Sequence, residues 1–228
     1  MKQTNYYNRE IDKALMAWKN SPRHKPLLLR GARQVGKSSS IHHLAEHFEH
    51  FVEINFERKP NFSEIFKGDL SARHIIENIK SITGEDIIPG KTLLFFDEIQ
   101  MCKEAISSLR FFWEDVPELH VIAAGSLLEF TLNEIPTFGV GRIHSMFMYP
   151  MSFDEFMGAL GMNALCKAKQ EATQIHPLLS FQHEKLVELF RTYLMVGGMP
   201  ECVATWVSTH SYAECQAIQK ELVYTYEV

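Results

Sequence analysis

The sequence predicts an α/β fold, a parallel sheet followed by a helical segment, and three observations predict it. Short apolar runs of strand length, at residues 27–29, 93–96 and 121–124, alternate with stretches whose apolar residues recur at helical spacing. The first run enters a GxxxxGKS loop, Gly31 to Ser38, that opens onto a helix-like segment. From Pro150 onward the period changes from strand-like to helical.

The 228 residues admit one α/β domain, or one such domain with a smaller helical appendage. A hydrophobic fraction of 46 % against 22 % charged residues is that of a globular chain with a real core. The net charge of −5 argues against a domain whose whole surface is a nucleic-acid footprint, while leaving room for a local basic face. Cys102, Cys166, Cys202 and Cys215 show no CxxC spacing and no secretory context, so free thiols in a reducing compartment are expected. No apolar run reaches membrane-spanning length, and the polar first ten residues lack the core of a signal peptide. A cytoplasmic location without membrane attachment is the expectation.

Along the chain, Ile11, Leu15 and Trp18 are spaced as one face of an N-terminal helix, Ser21-Pro22 breaks it, and Pro26 precedes the first strand. The loop that follows suits a triphosphate, which needs many donors close to concentrated negative charge. Gly31 and Gly36 allow the tight turn, and the backbone N–H groups of Ala32, Arg33, Gln34 and Val35 can then face the phosphates. Lys37 supplies a compact cation to the β- and γ-phosphates, and the Ser38 hydroxyl a ligand for Mg²⁺. Ser39 lies in the first turn of the helix, whose positive end meets the same anion. A chance match to this pattern in a chain of this length is on the order of one in a hundred.

After the loop, Ile41, Leu44, Ala45 and Phe48 form a buried helix face. His43 and His47 sit four apart on the other face; with no cysteine or acidic cluster to close a metal site, they read as solvated, and no structural zinc is expected. Residues 51–56 read as the second strand and Pro60 breaks it. Residues 69–83 read as a helix with Ile75, Ile76 and Ile79 inward and Gly84 as its stop. The third strand, entered at Lys91, ends in Asp97 and Glu98, at the edge of an open parallel sheet where ligands bind. Asp97 is the expected metal residue opposite Ser38, and Glu98 the expected general base for an attacking water. The plainer alternative, an acidic pair at a helix N-terminus, explains neither the strand before it nor the phosphate loop upstream.

Residues 104–116 form a core helix closed by Pro117, and residues 121–124 a fourth strand ending in Gly125-Ser126. Ser126 either reaches the γ-phosphate or simply makes a turn. Residues 131–142 read as a loop and 143–149 as a fifth strand. Gly139-Val140-Gly141 lacks the third glycine of a dinucleotide fingerprint and is set aside. Ser152-Phe-Asp-Glu155 is a capping box with Met151 and Phe156 as its hydrophobic staple. Helices follow at 153–160, 183–196 and 201–208, with a polar stretch of ambiguous pattern around 167–173. A last helix starts at a second capping box, Ser211 to Glu214, and still runs at 221–228 with no capping glycine or proline after it; the chain is expected to be cut short there.

Gly31 to Ser38, the strand ending in Glu98, Gly125-Ser126, Gly141-Arg142, Tyr149 to Phe156 and Tyr193 to Glu201 together resemble the AAA-type ATPases of the bacterial and archaeal ATP-binding family, related to the STAND class. The resemblance implies a P-loop NTPase core of residues 1–150 with a five-stranded parallel sheet in the order 5-1-4-3-2. Residues 151–228 would then be a helical or winged-helix lid. It assigns Ser126 to a sensor position and likens Arg142 to an arginine finger or sensor, acting in cis or in trans. It likens Gly197-Gly198-Met199-Pro200 to a turn that packs near adenine; as local chemistry this is a helix-to-helix turn. Members usually continue into a further C-terminal domain, often likened to a nuclease fold, and no such role carries over to these residues.

The expected ligands are ATP or ADP with Mg²⁺, and the expected reaction is hydrolysis of MgATP, coupled to movement of the lid or a partner. Homo-oligomerisation, and a DNA or protein partner reached through the lid or a further domain, stay open. The alternatives are a nucleotide-gated switch with negligible turnover and a P-loop small-molecule kinase; a GTPase is disfavoured because no NKxD-type segment is present.

Overall fold

The computed structural model describes residues 6–126 and 141–227. Contacts divide the chain into two compact units, Ile11–Met148, and Met1–Glu10 with Tyr149–Val228. The loop expected at 131–142 and the Gly139-Val140-Gly141 segment lie largely outside the described residues.

In the first unit, α1 (Glu10–Lys19) contributes Leu15 and Trp18 to the interior. There follow β1 (Leu27–Arg30), α2 (Lys37–Ala45), β2 (His50–Asn55), α3 (Ala72–Thr83), β3 (Thr92–Asp97), α4 (Lys103–Asp115), β4 (His120–Ala124) and β5 (His144–Phe147). The strands form one parallel sheet in the order β2-β3-β4-β1-β5, which read from the other edge is 5-1-4-3-2. Strand position explains strand composition. β3 (TLLFFD) and β4 (HVIAA) are buried at every residue, as strands covered on both faces must be, whereas the edge strand β2 alternates and the edge strand β5 is largely exposed.

One core fills the space beside the sheet: Phe56, Phe66, Phe96 and Phe112 make successive ring contacts with centroids 5.4–5.8 Å apart. Where Pro60 was expected only to end a strand, the chain makes a 3₁₀ segment, Pro60–Phe66, that buries Phe62, Ile65 and Phe66 in this core. α3 stops at Gly84, whose left-handed backbone (φ 73°) closes the last turn onto Lys80.

The second unit is helical among its described residues: α5 (Phe153–Ala159), α6 (Asn163–Glu171), α7 (Ser180–Val196), α8 (Pro200–Thr209) and α9 (Tyr212–Glu227). The capping box at Ser152 is formed in both directions, and Met151 and Phe156 are buried together. Glu155 has a second task. Its Oε1 accepts from the Arg9 guanidinium at 2.9 Å and from the Glu10 N–H at 2.7 Å, in a pair of side chains less than 8 % exposed. A buried carboxylate must be paired, and here its partners come from the N-terminal segment. That is why residues 6–10 cluster with residues 149–227 rather than with the sheet. The polar stretch around 167–173 falls mostly in α6, a helix with no fully buried residue that rests Leu165 and Cys166 against Met157, Leu186 and Leu189. Gly197 ends α7 in a positive-φ conformation and Pro200 starts α8, so this segment is a helix-to-helix turn.

Two histidines meet at the amino-terminal end of β4, whose first residue is His120. His24 and His120 stack at 3.7 Å, flanked by Trp18 and Phe48. His120 Nε2 donates to the Lys19 carbonyl at 2.9 Å, while its Nδ1 is buried with no partner. Burial pushes the His120 imidazole down to about 4, opposed by the Lys19 carbonyl and reinforced by His24. Between that value and the ordinary one near 6.5, the unfolded chain binds more protons than the folded one, so stability falls as pH falls through this window. Urea denaturation of wild type and His120→Phe at pH 7 and pH 4.5 checks this. The stability difference between them is expected to shift by about 2 kcal/mol against wild type at the lower pH. A difference that does not vary with pH contradicts it.

Candidate functional site

β1 ends at Arg30, and the chain turns at once through Gly31 at φ +147°. A side chain cannot stand there, because a Cβ would lie 2.2 Å from the Met148 carbonyl oxygen. Gln34 (φ 62°) and Gly36 (φ 97°) are also left-handed, and between them Val35 is wholly buried and pins the loop to the core. α2 begins at Lys37, so the N–H groups of its first turn and its positive end face the loop. Lys37 is only 8 % exposed, and its ammonium donates to the carbonyls of Gly31 at 2.9 Å and Ala32 at 2.7 Å. Burial lowers its affinity for a proton, opposed by the charges of Glu98 and Asp97.

Asp97, the last residue of β3, is 7 % exposed and gathers the site. Ser38 Oγ lies 3.2 Å from each of its carboxylate oxygens, Asn55 Nδ2 donates to Oδ2 at 3.0 Å, and the Glu98 N–H donates to Oδ1 at 3.1 Å. Burial, and then the charge on Glu98, push the Asp97 carboxyl above its ordinary value. A serine hydroxyl against one carboxylate is the donor set that suits Mg²⁺, which takes few protein oxygens and completes its shell with phosphate and water. Among the described residues no group of three or more His, Cys, Asp or Glu side chains could hold a metal on protein ligands alone. The rings of His43 and His47 are 6.2 Å apart, and His43 also lies 3.6 Å from Glu46.

Glu98 occupies the left-handed region (φ 51°, ψ 45°), a conformation that costs a non-glycine residue free energy and that clusters at functional sites. Its Oε2 accepts from Gln100 Nε2. Ser126, 2 % exposed, follows β4 and takes a hydrogen bond from Arg33 Nε at 3.3 Å. The residues brought together are therefore Gly31, Ala32, Arg33, Lys37, Ser38, Asp97, Glu98 and Ser126, at the carboxyl ends of β1, β3 and β4.

Arg142 is not among them. It lies just before β5, whose His144 pairs with Leu27, the first residue of β1, and so sits at the amino-terminal end of the strands, opposite the end that carries the loop. At that amino-terminal end of the strands it forms a 2.7 Å ion pair with Glu114 near the end of α4. Two residues of the site were not singled out from sequence. Asn55 is aligned with Asp97 by strand register, a pairing that needs the sheet to exist. Gln100 had a local signal, its place two residues after Glu98.

Comparison with known proteins follows the same outline. A family model described as an AAA domain matches residues 23–157. Among solved structures, the Walker-type ATPase PABY2304 of Pyrococcus abyssi superposes with a TM-score of 0.54 at 18 % identity, over 97 % of this chain and 73 % of that one. PCH-2 of C. elegans superposes with a TM-score of 0.50 at 14 % identity, over 93 % and 68 %. At these identities the two likenesses concern the fold. No curated protein matches the sequence.

The close approach at Gly31 is open to a direct check. Gly31→Ala is expected to cost about 1–3 kcal/mol in urea denaturation and to weaken ADP binding, because the loop must move off Met148. Gly68→Ala, at a positive φ with nothing within 4 Å, serves as control and should leave ADP binding unchanged. Equal effects of the two substitutions on binding would rule out the Met148 contact as the reason.

Proposed function

This chain belongs to the AAA family of P-loop ATPases, and from that membership and the geometry of Lys37, Ser38, Asp97 and Glu98 we propose that it hydrolyses MgATP to ADP and phosphate. The observation that carries the reading is the Ser38–Asp97 contact, which joins the phosphate loop to the acidic end of β3 at one point. Lys37 would exchange its two loop carbonyls for the β- and γ-phosphate oxygens, a short movement of an ammonium already held in place. Ser38 and Asp97 would hold Mg²⁺, whose charge, when bound, neutralises that developing on the phosphates. Glu98 would orient and deprotonate the attacking water. Ser126 and Arg33, hydrogen-bonded to each other, would meet the γ-phosphate from the β4 side.

In this reading residues 151–228 act as a lid whose contacts depend on the nucleotide, and the coupled work is a rearrangement of that lid or of a partner. Arg142, at the other end of the strands from its own loop, would act in trans at a neighbouring subunit's site. The second reading, a nucleotide-gated switch with negligible turnover, is favoured by that same separation, because Arg142 then does not reach the loop of its own chain.

Phosphate release followed across protein concentration, beside equilibrium binding of ATP, separates these readings. Glu98→Gln is expected to bind ATP as wild type does and to lose about 10²-fold or more in turnover. Lys37→Ala is expected to lose binding itself. Specific activity that rises with protein concentration, and falls in Arg142→Ala, is the result expected of a finger in trans. Wild-type phosphate release by Glu98→Gln would overturn the assignment of the base.

A further inference from the structure

Glu98 does not stand alone at the end of β3. A short 3₁₀ turn, Ile99–Met101, follows it, closed by the Met101 N–H to the Glu98 carbonyl at 3.0 Å and the Cys102 N–H to the Ile99 carbonyl at 2.9 Å. Ile99 is fully buried and Cys102 nearly so, so the turn is anchored on both sides of Gln100. The left-handed backbone at Glu98 reverses the chain into this turn. As a result the Gln100 side chain folds back over Glu98, and its Nε2 reaches Glu98 Oε2 at 2.5 Å. Which end of the amide faces the carboxylate follows from chemistry: an ionised carboxylate only accepts, so the NH₂ group must face it. The other end, Oε1, is buried with no partner. A glutamine placed only for stability would not bury its carbonyl oxygen unpaired, since that works against folding.

We propose that Gln100 is a positioning residue: its amide takes one oxygen of the Glu98 carboxylate and so leaves the other, at a fixed orientation, for the attacking water. The proposal rests on Glu98 being the residue that activates water, and it adds the group that orients it. The arrangement is continuous. Ser38 holds Asp97, Asp97 holds the Glu98 N–H, and Gln100 holds the Glu98 carboxylate, so both the backbone and the side chain of the base are tied to the metal-binding end of the site. A carboxylate with two rotatable side-chain bonds beyond Cβ samples many orientations when exposed, and one charge-assisted hydrogen bond removes most of them.

Gln100→Leu, similar in size but without a donor, is the first test, with Gln100→Glu, an acceptor that repels Glu98, as the second. Both are expected to keep the wild-type affinity for ADP and the wild-type KM for ATP, and to lose about tenfold or more in kcat. In a Glu98→Gln background the Gln100→Leu change should have no further effect on residual turnover, because the residue it positions is already gone. A readout that needs no nucleotide is the Gln100 side-chain amide pair in an ¹⁵N–¹H spectrum, assigned by its loss in Gln100→Leu, which should move in Glu98→Ala. If Gln100→Leu lowers the urea midpoint, Gln100→Glu carries the kinetic comparison. Full activity of the Gln100 variants, a rise in KM at unchanged kcat, an equal loss in the Glu98→Gln background, or an unmoved amide signal would each overturn the proposal while leaving Glu98 as the base. Wild-type turnover by Glu98→Gln would overturn both.

Discussion

A single hydroxyl-to-carboxylate contact, Ser38 to Asp97, is the constraint on which the site depends. The two residues are 59 positions apart in sequence: Ser38 lies in the first turn of α2, which follows β1, Asp97 ends β3, and β4 runs between those two strands. Two strand spacings, roughly 10 Å, must therefore be bridged. The chain bridges them by ending β1 one residue before Gly31 and wrapping the loop back over the sheet edge. The loop can wrap because Gly31 fits against the Met148 carbonyl, and it stays in place because Val35 is buried. Remove either and Ser38 has no reason to meet β3.

The same wrapping concentrates charge in a poorly solvated space. Lys37 and Asp97 are both less than 10 % exposed, and burial pulls each toward its neutral form. The charges of Glu98 and Asp97 oppose this for Lys37, whose ammonium also donates to two loop carbonyls, while a hydroxyl, an amide and a backbone N–H oppose it for the Asp97 carboxylate. Groups so arranged need little reorganisation when an anion with its metal arrives, which is the condition under which electrostatic stabilisation is largest. The left-handed backbone at Glu98 belongs to this arrangement, since it carries the carboxylate away from the strand direction and toward Gln100.

Much of this was legible in the amino-acid sequence because it is local or periodic. The doubly buried strands β3 and β4 read as unbroken apolar runs, and the loop and the Asp97-Glu98 pair read as motifs at strand ends. The capping box at Ser152 and the stop at Gly84 were equally local. What was not legible depends on partners far along the chain. Asn55 matters only because register sets it opposite Asp97. The stacked His24 and His120 are 96 positions apart and meet at the amino-terminal end of β4. Residues 6–10 leave the first unit because Glu155, which sequence shows as a cap, also needs a buried cation. The helix α6 was ambiguous for a different reason: it buries so little that its periodicity is weak. Arg142 carried a resemblance at the level of sequence, but the direction of β5 decides which end of the strands it occupies.

In the proposed reaction Ser38 and Asp97 would share a metal ion on a bound triphosphate. The most direct measurement is the affinity for a non-hydrolysable ATP analogue in Mg²⁺ and in EDTA, for wild type and for Asp97→Asn. In wild type, Mg²⁺ should tighten binding on the order of tenfold or more, and Asp97→Asn should remove most of that gain while binding the metal-free analogue as wild type does. An undiminished Mg²⁺ effect in Asp97→Asn would mean that Asp97 does not hold the ion.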